Sequence, residues 1–235
     1  MAGEKVSRAR RSSPKRRHRL GLTRERVVAE ARRLVEAHGV EALSMRVLAH
    51  RLGVSTMAIY NHVAGKHDLI GAIAQGVVQE FRAPSGDGDW RERVRVCFRA
   101  LRQVCLANPR LIPLVETAEV LDPAVFRPME STLAALQEAG IDLHEALQAY
   151  FLLTNFTMGQ ASYEIRGPFR GLDPAEAVRR GAILPSEFPL VAKAASAGHW
   201  DFDAAFELGL EIIVEGLAAR ADAARRARAG AMRAR

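Results

Sequence analysis

The sequence predicts an all-α protein, with an N-terminal three-helix unit of helix-turn-helix spacing followed by a larger helical body. Three observations predict it. Apolar residues recur at helical spacing from Val27 onward. Gly, Pro, Ser and Asp stand where helix ends need them. No β alternation of useful length occurs in the 235 residues.

Residues 1–19 are polar, basic and aperiodic, and read as a disordered arm. From Thr23 the pattern turns helical, with Val27, Ala31, Leu34 and Val35 on one stripe and Gly39 at the C′ position. Ser44 caps a second, short helix whose Leu48, Ala49 and Leu52 face inward, and Gly53 closes it. Ser55 caps the third. Val54 and Ile59 stand at its N′ and N4 positions, where a hydrophobic staple fixes the entry angle. Beyond Gly65 the spacing predicts helices near 66–82, 90–107, 110–120, 123–139, 142–165, 186–197 and 202–220, punctuated by Pro109, Pro123, Gly140 and Asp142. The interval 166–185 reads as a loop with room for one short helix after Asp173. The expected divisions are an arm (1–19), the three-helix unit (20–67), a body (68–220) and a basic tail (221–235).

The formal charge of +7 is unevenly spread. Residues 1–19 carry eight Lys/Arg against Glu4, and residues 20–67 seven against four acids. Residues 68–219 reverse the sign with thirteen against twenty-one, and residues 220–235 hold six against one. A basic front on an acidic body points the front, and not the body, at a polyanion. Cys97 and Cys105 lie eight residues apart in a helical pattern, too far along one helix for a disulfide, and read as reduced thiols of a cytosolic protein. No apolar run approaches the ~18 residues of a membrane span, and no apolar segment follows the basic N-terminus as a secretory signal requires. The expected location is the cytoplasm, at the nucleoid, with no membrane partner.

The third helix has an unusual outer face. Thr56, Met57, Ala58, Tyr60, Asn61 and His62 lie around it, while only Ile59 and Val63 are spaced to point inward. In a helix-turn-helix the last helix lies in the DNA major groove and offers base edges its N-terminal side chains. Thr56, Asn61 and His62 can hydrogen-bond to bases or phosphates, the methyls of Met57 and Ala58 can touch a thymine methyl, and the Tyr60 phenol suits a phosphate. Lys66, at the start of the next helix, would hold a phosphate together with the free N–H groups there. Ser44, Met45 and Arg46 in the first turn of the second helix, and Ser55 before the third, complete the candidate DNA-binding set. The alternative is an ordinary tri-helical core fragment with a solvated polar face.

The stretch "LTRERVVAEARRLVEAHGVEALSMRVLAHRLGVSTMAIYNHVAGKHDLI" resembles the DNA-binding domain of TetR-family transcriptional regulators along its whole length. "GHWDFDAAFELGLEIIVEGLAAR" looks like the last helix of the tetracycline-repressor branch, and "EAGIDLHEALQAYFLLTNFTMG" is similar to its dimerising helix. The resemblance is close at both ends and loose in the middle. It implies a homodimer on a palindromic double-stranded DNA operator, with an inducer pocket in the body. Tetracycline repressors hold their drug's magnesium with a histidine before the sixth helix and a glutamate late in the eighth. The corresponding places here hold Val115-Glu116 and Tyr163-Glu164, without the histidine. The resemblance therefore implies a small organic effector, with no metal and no cofactor.

In the body, the helix at 142–165 is apolar nearly all round (Leu143, Leu147, Tyr150, Phe151, Leu152, Leu153, Phe156, Met158) and should be covered on every side. On the helix at 202–220, Ala205, Gly209, Ile212 and Gly216 form a small-residue stripe beside the Phe206–Leu210 stripe. Each mid-helix glycine costs about 1 kcal/mol against alanine, so a close helix backbone is expected there, either within the chain or across a dimer interface. Polar groups on faces expected to be buried, with their aromatic neighbours, supply the effector candidates: Phe98, Arg102, Glu116, Phe151, Asn155, Met158, Tyr163 and Trp200. Other side chains or water could satisfy the same groups.

No catalytic motif appears: no H-E-x-x-H, G-x-S-x-G, P-loop or C-x-x-C, and the seven histidines are scattered. An enzyme is not expected. Three readings stay open: a ligand-responsive regulator, a constitutive dimeric DNA-binding protein, and a small-molecule-binding or catalytic helical protein with an incidental tri-helical domain.

Overall fold

The structure, a computed structural model, describes residues 21–81, 88–117, 123–167, 173–197 and 201–233, with backbone alone at 116, 117, 125, 228 and 230–233. The basic arm therefore lies outside the described residues. Among those described there are eleven α-helices and no strand. The chain divides into two compact units after Leu69, two residues beyond the expected join.

In the first unit, α1 (Arg24–His38) starts where the Thr23 side chain accepts the Arg26 N–H, and ends at Gly39, whose N–H returns to the Val35 carbonyl. A short 3-10 turn at Val40–Ala42, not expected from the sequence, leads to α2 (Met45–Leu52). Ser44 caps α2 by accepting the Val47 N–H at 3.2 Å, and Ser55 caps α3 (Thr56–Tyr60) by accepting the Ala58 N–H at 3.2 Å. Between them Gly53 adopts φ 68°, a left-handed conformation that side-chain-bearing residues rarely take. With Gly53 so placed, the Val54 N–H reaches back to the Ala49 carbonyl at 3.0 Å and the chain reverses in one step. Val27, Ala31, Leu34, Val35, Leu43, Leu48, Ala49, Ile59, Val63 and Leu69 form the buried set. Two ion pairs tie the unit's edges. Arg51 donates to Glu30 at 2.6 Å, and Arg24 holds both oxygens of Asp68, in the first turn of α4 (Lys66–Glu80), at 2.6 and 2.8 Å.

The second unit holds most of α4, then α5 (Trp90–Ala107), α6 (Ile112–Thr117), α7 (Pro123–Glu138), α8 (Leu143–Arg166), α9 (Pro174–Arg179), α10 (Pro189–Ala197) and α11 (Phe202–Arg233). The short helix after Asp173 is α9, capped by the Asp173 carboxylate. Helix α10 begins at Pro189, three residues later than expected, with the proline at the first position, where its fixed φ suits the helix and its missing N–H leaves no bond unmade. The last helix, expected to end near 220, continues to Arg233. Its added turns are mostly Ala and Arg, strong helix formers, and Ala218 and Ala221 are buried.

Helix α5 packs on α7, α8 and α11, and α8 packs on α7 and α11. Their shared core includes Trp90, Val94, Phe98, Leu136, Leu153, Phe206, Leu210 and Val214. Helices α8 and α11 run antiparallel: Arg220 pairs with Glu145, Phe156 stacks on Phe206 at 5.6 Å, and Tyr163 meets Phe202 edge-on at 6.4 Å. Along α5, Arg95 pairs with Glu215 and Arg99 with Glu207 of α11, each at 2.8 Å.

Candidate nucleic-acid interface and internal cavity

Ile59 is fully buried beneath α3 and anchors it. The rest of the helix is offered outward. Met57 is 72% exposed and Tyr60 49%, Asn61 is exposed, and Thr56, Ala58 and His62 are half-buried beside them. The sequence expected this face, and none of its six residues is buried. Ser44 and Ser55 are exposed, but their oxygens already accept a backbone N–H, which leaves each hydroxyl proton to donate. Arg46 is exposed and Met45 half-buried at the start of α2. Lys66 stands at the first position of α4, as expected, and makes one contact that was not foreseen. Its ammonium donates to the Val40 carbonyl at 3.2 Å, so one of its three donors is committed to the fold.

Asp68 fixes the entry to α4. It accepts the Arg24 guanidinium and also the Ala64 N–H at 2.8 Å, and these bonds, Arg24's first, hold its carboxyl down to about 2. Arg24 donates further to the His62 carbonyl at 3.1 Å, so the segment leaving α3 is tied to the start of α1.

A cavity of about 160 Å³ opens in the second unit between α4, α5, α6, α7 and α8. Phe98, Leu101 and Val104 of α5, Ile112 and Val115 of α6, and Tyr150, Thr154 and Met158 of α8 line it, with Cys97 and Cys105. Both thiols are buried and neither is in a disulfide, and burial pushes the Cys97 thiol up. Burial likewise raises the Tyr150 phenol, with the Thr154 hydroxyl acting the other way. Each therefore stays in its neutral form at neutral pH.

Of the eight effector candidates, Phe98 and Met158 line this cavity. Four do not. Arg102 is buried, but it bonds to Glu164 and to Asp203 at 2.7 Å each and lies over the Phe206 ring at 4.9 Å. Burial disfavours its charge, and the two carboxylates outweigh that, keeping its pKa above the ordinary value. Its burial as a charged group on α5 is explained by ion pairing within the chain, which also occupies Glu164. Phe151, Asn155 and Tyr163 are exposed on α8, because that helix is covered on one side only. The Glu116 side chain and Trp200 lie outside the described residues. The aliphatic lining residues and the two cysteines were missed, having no signal beyond the core periodicity they share.

The small-residue stripe of α11 also divides. A Cβ built at Gly209 would run into the Phe156 ring, so this glycine answers a contact inside the chain. Ala205, Ile212 and Gly216 are exposed, and Leu208 and Ile212 are each 62% exposed.

Comparison with known proteins covers both units. Residues 27–73 match the family described as bacterial regulatory proteins, tetR family, and residues 83–221 match the tetracyclin repressor-like C-terminal domain. The chain is 29% identical over 216 residues to the HTH-type transcriptional repressor DrrR1 of Streptomyces coeruleorubidus, covering 83% of this chain and 77% of that one. It is similar to apo ActR of Streptomyces coelicolor at 30% identity and a TM-score of 0.70, covering 86% of this chain and 98% of the other. ActR has also been solved with (S)-DNPA and with actinorhodin. BioQ of Mycobacterium smegmatis, solved with its double-stranded DNA operator, matches at 25% identity and a TM-score of 0.60 over 85% of this chain and 99% of its own.

Proposed function

This chain is a member of the TetR family of bacterial transcriptional regulators, and we propose that it is a homodimeric repressor released from a palindromic operator by a small organic effector. The observation that carries the reading is the α3 face. A helix anchored by one buried isoleucine and displaying Thr56, Met57, Tyr60 and Asn61 is built to meet something outside the chain. BioQ, a solved structural neighbour, meets a DNA operator.

In this reading α3 enters the major groove, Tyr60 and the two remaining Lys66 donors take phosphates, and Arg46 takes a flanking phosphate or guanine. The phosphate contacts make binding salt-sensitive, with a log–log slope of about −0.9 per phosphate neutralised. Two copies lie about one DNA turn apart, ~34–36 Å. The exposed Ala205, Leu208, Ile212 and Gly216 of α11, with Phe151 and Leu152 of α8, supply an apolar face for the second copy. The cavity between α4 and α8 takes the effector, as the ligand-bound forms of ActR support by likeness. Helix α4 is the lever, since Lys66 and Asp68 stand in its first turn and Val77 and Val78 line the cavity near its end. A coupling of about 1–3 kcal/mol is ordinary for such a switch, and it comes only from the effector's unequal affinity for the two states.

Selection of binding sites from a random duplex pool by the full-length chain tests the reading, and an inverted repeat is expected. The double variant Tyr60→Ala, Lys66→Ala removes four phosphate contacts from a dimer. At about 1 kcal/mol each, affinity should fall about a thousandfold with helicity unchanged. A chain that ignores every duplex at low salt, or a double variant that binds like the parent, defeats the proposal.

A further inference from the structure

The cavity wall is apolar apart from two neighbouring hydroxyls, those of Tyr150 and Thr154. Thr154 Oγ1 is buried and has no well-formed hydrogen bond to any described residue. A threonine inside a helix can turn its hydroxyl onto the carbonyl four residues earlier; this one does not, and its polar neighbour is the Tyr150 hydroxyl. Tyr150 stands one turn before it on the same face of α8 and lines the same cavity, its ring 6.1 Å from that of Phe98. Cys97, Cys105 and Met158 bring three polarisable sulfurs to the wall, and sulfur makes favourable contacts with aromatic rings. None of the described lining residues is charged. A carboxylate or ammonium entering here would lose its hydration and gain no partner. The volume of about 160 Å³ is close to that of a dry apolar cavity able to hold one benzene ring, about 150 Å³.

We infer that the cavity selects an uncharged six-membered aromatic ring bearing one hydroxyl or carbonyl oxygen, which Thr154 Oγ1 reads with the Tyr150 hydroxyl beside it. A larger molecule would insert such a ring and leave its remainder at the mouth. This specificity rests on the cavity being the effector site proposed above.

The test uses the full-length protein without DNA and three probes of one shape: p-cresol, toluene and p-toluate. Binding is followed by ligand-observed NMR. p-Cresol should bind saturably and about fivefold more tightly than toluene, the worth of one hydrogen bond, and p-toluate should not bind. Thr154→Val, which keeps the shape and removes the hydroxyl, should bring p-cresol to the affinity of toluene, while Thr154→Ser should restore the preference. Leu101→Phe, which fills the cavity, should abolish binding of both neutral probes. The inference is overturned by p-toluate binding as well as p-cresol, by an unchanged cresol-to-toluene ratio in Thr154→Val, by Leu101→Phe binding as the parent does, or by neither neutral probe binding. If the ratios hold and the loaded protein keeps full operator affinity, the specificity stands and the effector reading fails.

Discussion

Helices α3 and α5 carry the two candidate surfaces, and they divide their side chains in opposite ways. On α3 one residue, Ile59, holds the helix down, and the residues proposed to touch DNA are exposed. On α5, Phe98 and Cys97 line the cavity and also belong to the core cluster of the second unit. The proposed recognition residues are therefore separable from the stabilising ones in the first unit and fused with them in the second. A regulator built this way can change its operator by surface substitution, whereas each change of effector disturbs a core.

The largest expected effect tests that division directly. Phe98 is 1% exposed, and Phe98→Ala should cost the body about 3–5 kcal/mol by urea unfolding, since the lost ring enlarges a cavity that is already present. Tyr60→Ala should change unfolding by no more than about 0.5 kcal/mol, as an exposed substitution away from core and caps does, while weakening operator binding. Equal destabilisation by the two substitutions would break the comparison.

The same division governs what could be read from the sequence. The α3 face was legible because it violates helical periodicity: Met57 and Tyr60 stand where a solvated helix needs neither a thioether nor a phenol. The turn before it was legible because Ser44, Gly53 and Ser55 act through bonds of three or four residues' reach. The cavity was not legible, because Val104, Ile112 and Val115 follow the same pattern as core residues and differ only in what is missing opposite them. Polar residues expected on buried faces misled in two directions. Arg102 is paired with Glu164, sixty-two positions away, and with Asp203, while Asn155 is exposed to solvent. Neither outcome is encoded locally. The α11 stripe mixed two causes, because Gly209 and Gly216 lie one heptad apart on the same helix.

Those two glycines give the middle effect and sharpen the comparison inside the second unit. The Phe156 ring that a Gly209→Ala methyl would strike is stacked on Phe206 and has little room to swing. Unfolding free energy should fall by about 1–3 kcal/mol at every protein concentration. A Cβ at Gly216 would meet no other described residue within 4 Å, so Gly216→Ala should stabilise the helix itself by about 0.5–1 kcal/mol. If this face carries the second copy, the added methyl should at the same time weaken self-association in sedimentation equilibrium. A neutral Gly209→Ala would return that residue to the interface side of the account.

The smallest effect lies in the first unit, where exposed pairs and caps do the holding. Asp68 titrates at about 2 in the folded chain, below the ordinary 3.8, chiefly because of Arg24 and then the Ala64 N–H. A depressed carboxyl contributes stability that is fully present above its unfolded value and disappears as pH falls through the folded one. The contribution should be flat from pH 8 to about 5 and be lost between about 4 and 2. Arg24 is half exposed, so screening keeps the pair's worth near about 1 kcal/mol. Hydrogen exchange of α1 and α4 amides in the parent and in Asp68→Asn should differ by that amount at pH 7 and converge near pH 2, with the amides of α8 and α11 unaffected throughout. A difference that persists at pH 2 would mean that Asp68 acts through packing and not through its charge, and the first unit would then resemble the second more closely than its surface chemistry implies.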